Sequence, residues 1–95
     1  MIIQSYALRT AADTKADCLA VLSELAALLK ASEGCRDALI LQSRDDERDV
    51  GFLEFWADDA ARLAAGMSIP KELMGRLMSA LEGRPGIRSY EAVSG

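Results

Sequence analysis

A chain of 95 residues, 51% of them hydrophobic, with net charge −4 and no histidine, makes one small domain, 1–95, with a thin stability margin. Scattered Lys and Arg argue against nucleic acid, no apolar run can span a bilayer, and the missing His removes most zinc sites, neutral-pH proton relays and the usual Ser and Cys triads. The apolar fraction exceeds what a lone domain of this size easily hides, which points to a partner, first of all a second copy of the chain.

Met1 to Gln4 runs straight into patterned sequence without the basic stretch and apolar run of a signal peptide, so a cytoplasmic protein is expected. From Ile2 to Arg9 the residues alternate: Ile2, Gln4, Tyr6 and Leu8 on one face, Ile3, Ser5, Ala7 and Arg9 on the other. That is the period of a strand. Tyr6 reads as a core or rim aromatic, or as a phenol facing a cavity. After a short polar link, Asp13 or Thr14 caps a helix to about Ser32, with Cys18, Leu19, Val21, Leu22, Leu25, Ala26, Leu28 and Leu29 at helical spacing. Gly34 is placed to end it in a left-handed conformation. Cys18 and Cys35 then lie about 20 Å or more apart, too far for a disulfide, and read as small buried hydrophobes.

Cys35 to Ser43 predicts a second strand, and Val50 to Trp56 a third. The charged run Arg44 to Asp49 between them reads as a solvated hairpin loop. Both strands are apolar on both faces, whereas an antiparallel sheet with one wet face alternates apolar with polar. The helices cover one face, and the chain has no strands left to cover the other. A homodimer packed sheet against sheet satisfies the pattern.

The third strand holds the only Trp and both Phe residues within five consecutive positions, 52–56, with Glu54 among them. Glu54 reads as a structural carboxylate paired with Arg88, Arg9 or Arg36, or as the polar handle of an aromatic pocket. Asp58 is placed to cap a helix that Gly66 ends. Pro70 suits the first turn of another, with Leu73, Met74, Leu77, Met78 and Leu81 as its apolar face and Gly83 as its end. Met74 and Met78 are core, or a pliable wall for an apolar ligand. Ile87 to Val93 alternates as a last strand, at an edge or swapped onto a partner.

The order strand, helix, strand, strand, helix, helix, strand is a ferredoxin-like α+β pattern. Glu33-Gly34-Cys35 resembles the "E-P-G-C" turn of the antibiotic biosynthesis monooxygenase family. Glu54-Phe55-Trp56-Ala57-Asp58 resembles its "E-x-W-x-D", and Tyr90-Glu91 its closing "Y-E" strand. The resemblance implies a dimeric α/β barrel with a pocket between sheet and helices. Some such members oxidise polyphenolic or anthrone-like substrates with molecular oxygen, without metal or flavin. Others degrade haem through a His ligand with an Asn and a Trp nearby, and this chain has no His and no Asn. Many members also carry a His before the last helix, where this chain reads Ser68-Ile69-Pro70-Lys71.

The chemistry expected is therefore cofactor-independent oxygenation of a small aromatic or polyphenolic substrate, with no metal site. Glu54 is the candidate base, its pKa raised by Phe52, Phe55 and Trp56 around it. Trp56 is expected to stack on a flat substrate or donate its indole N–H, and Tyr6 or Tyr90 to hydrogen-bond the oxyanion. Phe52 and Met74 complete the substrate-binding set. The alternatives are a non-catalytic dimer that binds a small apolar ligand, and an interaction module, since fold does not imply function.

Overall fold

The computed structural model describes residues 1–95. Strand β1 (Ile2–Arg9) leads into helix α1 (Lys15–Lys30), followed by strands β2 (Cys35–Gln42) and β3 (Asp49–Trp56), helices α2 (Asp59–Met67) and α3 (Lys71–Ser79), and strand β4 (Gly86–Glu91). The four strands form one antiparallel sheet in the order β2-β3-β1-β4. The ferredoxin-like α+β reading holds, and β4 lies at an edge as expected.

Alternation decides what each face of the sheet carries, because successive side chains point to opposite sides. Val50, Phe52, Glu54 and Trp56 of β3 are buried under the helices, whereas Gly51, Leu53 and Phe55 are only half-buried. On α1, Cys18, Val21, Leu22, Leu25, Ala26 and Leu29 form the stripe that meets this face. The other face carries Ile3, Leu53 and Phe55 on the central strands, Leu39 and Leu41 on β2, and Tyr90 opposite Ile3 on β4. Leu39, Leu41 and Tyr90 are exposed there, which leaves an apolar sheet face uncovered by any part of the chain.

Several local expectations change. Thr14 is the N-cap residue of α1, but its side chain does not cap. Its hydroxyl instead reaches the carbonyls of Ala11 at 2.8 Å and Ala80 at 2.7 Å, tying this turn to the end of α3. Gly66 lies inside α2, whose C-cap is Ser68, and the left-handed Gly83 lies beyond α3, whose C-cap is already Ala80. Leu81 leaves the α3 face and bridges to Thr10, though it is buried. Met74 and Met78 are exposed, so they form a rim and not the core. The charged run is pinned as well as solvated: Arg9 pairs with Asp46 at 3.0 Å, while Arg48 pairs with Glu82 and donates from Nε to the Thr10 carbonyl at 2.9 Å.

Two expectations hold in detail. Asp58 accepts the Ala61 N–H at 2.8 Å and so caps α2. Gly34, at φ 83°, turns the chain after α1, and any Cβ there would overlap that of Ala61. Glycine is required twice over, by its backbone and by the close approach of α2. Both cysteines are free thiols, and burial pushes each thiol pKa upward, which agrees with structural roles.

Candidate functional site

The period of β3 sets Phe52, Glu54 and Trp56 side by side on the helix face, and the β1–β3 register places Gln4 opposite Glu54 and Tyr6 opposite Phe52. The Tyr6 and Phe52 rings pack tilted with centroids 6.2 Å apart. Beside them the Trp56 indole Nε1 donates to Glu54 Oε1 at 2.9 Å. Glu54 is only 6% exposed and forms no ion pair. Its expected pairing with Arg88, Arg9 or Arg36 is therefore overturned. Arg9 and Arg88 belong to the opposite face of β1 and β4, and Arg9 is held by Asp46.

Burial pushes the Glu54 pKa above the ordinary glutamate range, because a carboxylate loses hydration there. The indole N–H, the Tyr6 phenol and the positive field of Arg62 on α2 act against this rise. Tyr6 is pushed up to about 12 by burial first and by the negative field of Glu54 second, so at neutral pH it is an un-ionised donor. Gln4 Oε1, on the residue opposite Glu54 in the sheet, is a buried acceptor with no partner.

Two cavities meet at Tyr6, Glu54 and Ile69, each of about 300 Å³. One is a largely apolar chamber, with Leu22, Leu25, Phe52 and Met74 among its walls. The other is a mouth beneath α2, bordered by Trp56, Arg62, Leu63 and Met67. Of the residues expected at the site, Glu54, Trp56, Tyr6, Phe52 and Met74 are brought together here. Tyr90 is not: it points from the opposite face of the sheet, next to Ile3, because its place in the β4 alternation differs from that of Ile87. Trp56 is 1% exposed to solvent and its N–H is already donated to Glu54, so that N–H is not free for a second acceptor.

Sequence reasoning missed Arg62 and Ile69. Arg62 is the one cation of a helix otherwise made of small and apolar residues after its acidic start, four residues beyond the Asp58 cap. That singularity was its only signal. No group of three His, Cys, Asp or Glu side chains converges as metal ligands would.

The fold has close structural counterparts. A putative antibiotic biosynthesis monooxygenase from Nitrosomonas europaea superposes with TM-score 0.91 at 13% identity, covering 99% of this chain and 100% of that one. SnoaB, a cofactor-independent oxygenase from Streptomyces nogalater, gives TM-score 0.85 at 16% identity over 99% of this chain and 94% of its own. PA3566 from Pseudomonas aeruginosa gives 0.85 at 22% identity, covering 98% and 94%. No curated protein matches the sequence. The family model for antibiotic biosynthesis monooxygenase matches residues 1–66, more than two-thirds of the 95-residue chain, a span that contains Glu33-Gly34-Cys35 and the Glu54 to Asp58 motif. The chain therefore belongs to the antibiotic biosynthesis monooxygenase family.

Proposed function

We propose that the protein is a cofactor-independent monooxygenase that oxidises a small aromatic phenol with molecular oxygen, using Glu54 as its base. The observation that carries this reading is a buried carboxylate, held by an indole N–H at 2.9 Å, at the meeting of two cavities. Membership of a monooxygenase family and likeness to SnoaB, a cofactor-independent oxygenase, support it.

For an anthrone-type substrate in its phenolic tautomer, Glu54 removes the phenolic proton and leaves an electron-rich anion. The anion gives one electron to O2, and the resulting radical pair joins to form a C–O bond. Glu54 returns its proton to the peroxide oxygen, and the peroxide loses water to give a new carbonyl. The substrate loses two hydrogens and gains one oxygen atom, and the second oxygen leaves as water. A raised pKa suits Glu54 to both proton transfers. The neutral Tyr6 phenol donates to developing negative charge, Phe52 and Met74 hold the ring, and Trp56 positions the carboxylate.

The same reading includes a homodimer. The sheet face bearing Ile3, Leu39, Leu41, Leu53, Phe55 and Tyr90 is too apolar to stay wet, and a second copy of that face is its natural cover.

Oxygen uptake by metal-free protein against hydroquinones, catechols and anthrones tests the function, with ¹⁸O2 supplying the label. One labelled atom in the product is expected. Saturable binding with no uptake anywhere in the panel would replace the oxygenase by a binding protein for apolar ligands.

A further inference from the structure

Arg62 borders the mouth of the cavity together with Glu54, Tyr6 and Trp56, yet it forms no ion pair with Glu54. Its Nε donates to Asp59 Oδ1 at 3.2 Å, one turn back along α2, and this is the only side-chain partner it has. The Nη edge of the guanidinium is left without a protein acceptor, although its side chain is only 28% exposed. The remaining mouth residues, Leu29, Leu63, Met67 and Ile69 among them, are apolar. A guanidinium this sheltered is normally spent on a carboxylate, through two parallel N–H donors. Here the nearest buried carboxylate faces the same cavity and the two do not touch.

We propose that Arg62 receives the negative charge that the substrate acquires when Glu54 takes its proton, so that the site selects phenols whose acidic oxygen fits between these two side chains. This rests on the oxygenase reading of Glu54. Before proton transfer the cavity holds one carboxylate and one guanidinium. Afterwards it holds a neutral carboxylic acid, a phenolate and the same guanidinium. The net charge is unchanged while the negative charge moves from Glu54 to an oxygen beside Arg62. No cofactor or second proton is needed to neutralise it. Tyr6 lines the same cavity, the Asp58 cap lies one turn before Arg62 on α2, and Asp59 occupies the guanidinium's Nε edge, which leaves the Nη edge for the substrate.

The test reads ionisation directly, with 4-nitrophenol as the probe, because its phenolate is yellow and its phenol colourless. Spectra of the probe bound to the intact protein are recorded against pH for the wild type, Arg62→Met and Arg62→Lys. With an opposite charge a few ångströms away, the wild type is expected to ionise the bound probe at a pH lower by about one unit or more than in water, a tenfold shift in the equilibrium. Arg62→Met should abolish that shift while leaving binding of the neutral probe, and Arg62→Lys should restore part of it. Circular dichroism confirms that each variant is folded. An equal shift in Arg62→Met, no shift in the wild type, or no saturable binding would overturn the assignment. The outcomes are separable from those for the function: a shift without oxygen uptake leaves Arg62 assigned and removes the oxygenase, whereas uptake without a shift does the reverse.

Discussion

Replacing Trp56 by Phe removes one hydrogen bond, and the consequence for Glu54 has a definite sign. The indole N–H lies 2.9 Å from Glu54 Oε1 and favours the ionised form. A hydrogen bond to a charged acceptor contributes about 1.5–3 kcal/mol, one to a neutral acceptor about 0.5–1.5 kcal/mol. The indole thus favours carboxylate over carboxylic acid by about 1–1.5 kcal/mol, which corresponds to about one pH unit. Without it Glu54 holds its proton more tightly, and the acid limb of the rate profile should move up by about one pH unit. Trp56 is also 1% exposed, so the smaller ring leaves a cavity. Together with the lost bond this should cost about 2–4 kcal/mol of stability. Oxygen uptake measured from pH 5 to 9 at saturating substrate, beside urea unfolding, reads both effects. A destabilised variant whose acid limb stays in place, or moves to lower pH, would refute the coupling of Trp56 to Glu54.

Other substitutions test other parts of the account. Gly34→Ala forces a side chain into a left-handed backbone and into Ala61, and should lower stability by about 2–4 kcal/mol in urea unfolding; a loss below about 1 kcal/mol would mean that α2 does not approach this turn so closely. Leu53→Lys puts a charge in the middle of the uncovered sheet face, so light scattering should find about twice 10.2 kDa for the wild type and a single-chain mass for the variant. A wild type already at the single-chain mass would remove the dimer. Glu54→Gln keeps an acceptor for the indole but removes the titration. Because burial raises the pKa of Glu54, the folded wild type binds the proton more tightly than the unfolded chain, and its stability falls as pH rises above the ordinary glutamate range. The stability of Glu54→Gln relative to wild type should therefore increase from pH 4 toward neutrality, and a difference that shrinks instead would contradict the burial.

The fold was legible because the apolar periods are long and its punctuation is local. The alternation of Ile2 to Arg9 and the stripe of α1 depend on few tertiary accidents, and Asp58 and Gly34 act within one turn of their own position. Helix ends marked by Gly66 and Gly83 were misplaced, because a glycine is tolerated inside a helix or beyond it when packing sets the boundary. At the candidate site, the grouping of Glu54, Trp56, Tyr6 and Phe52 on one sheet face could be read because neighbouring strands bring residues of one face together. Tyr90 was misassigned because the β1–β4 register cannot be read from either strand alone, and one residue of offset reverses the face. The place of Arg62 is not legible in the sequence for a related reason. Whether a lone helical cation faces water or a cavity depends on how α2 lies on the sheet, and no pattern within α2 states that.

Oxygen uptake by wild type and Glu54→Gln, under identical conditions with a substrate that the wild type turns over, tests the central claim most directly. If Glu54 is the base, the variant should remain folded and bind the substrate while its rate falls by about 10²–10⁴-fold. A folded Glu54→Gln protein that consumes oxygen at the wild-type rate would show that the buried carboxylate takes no part in the chemistry.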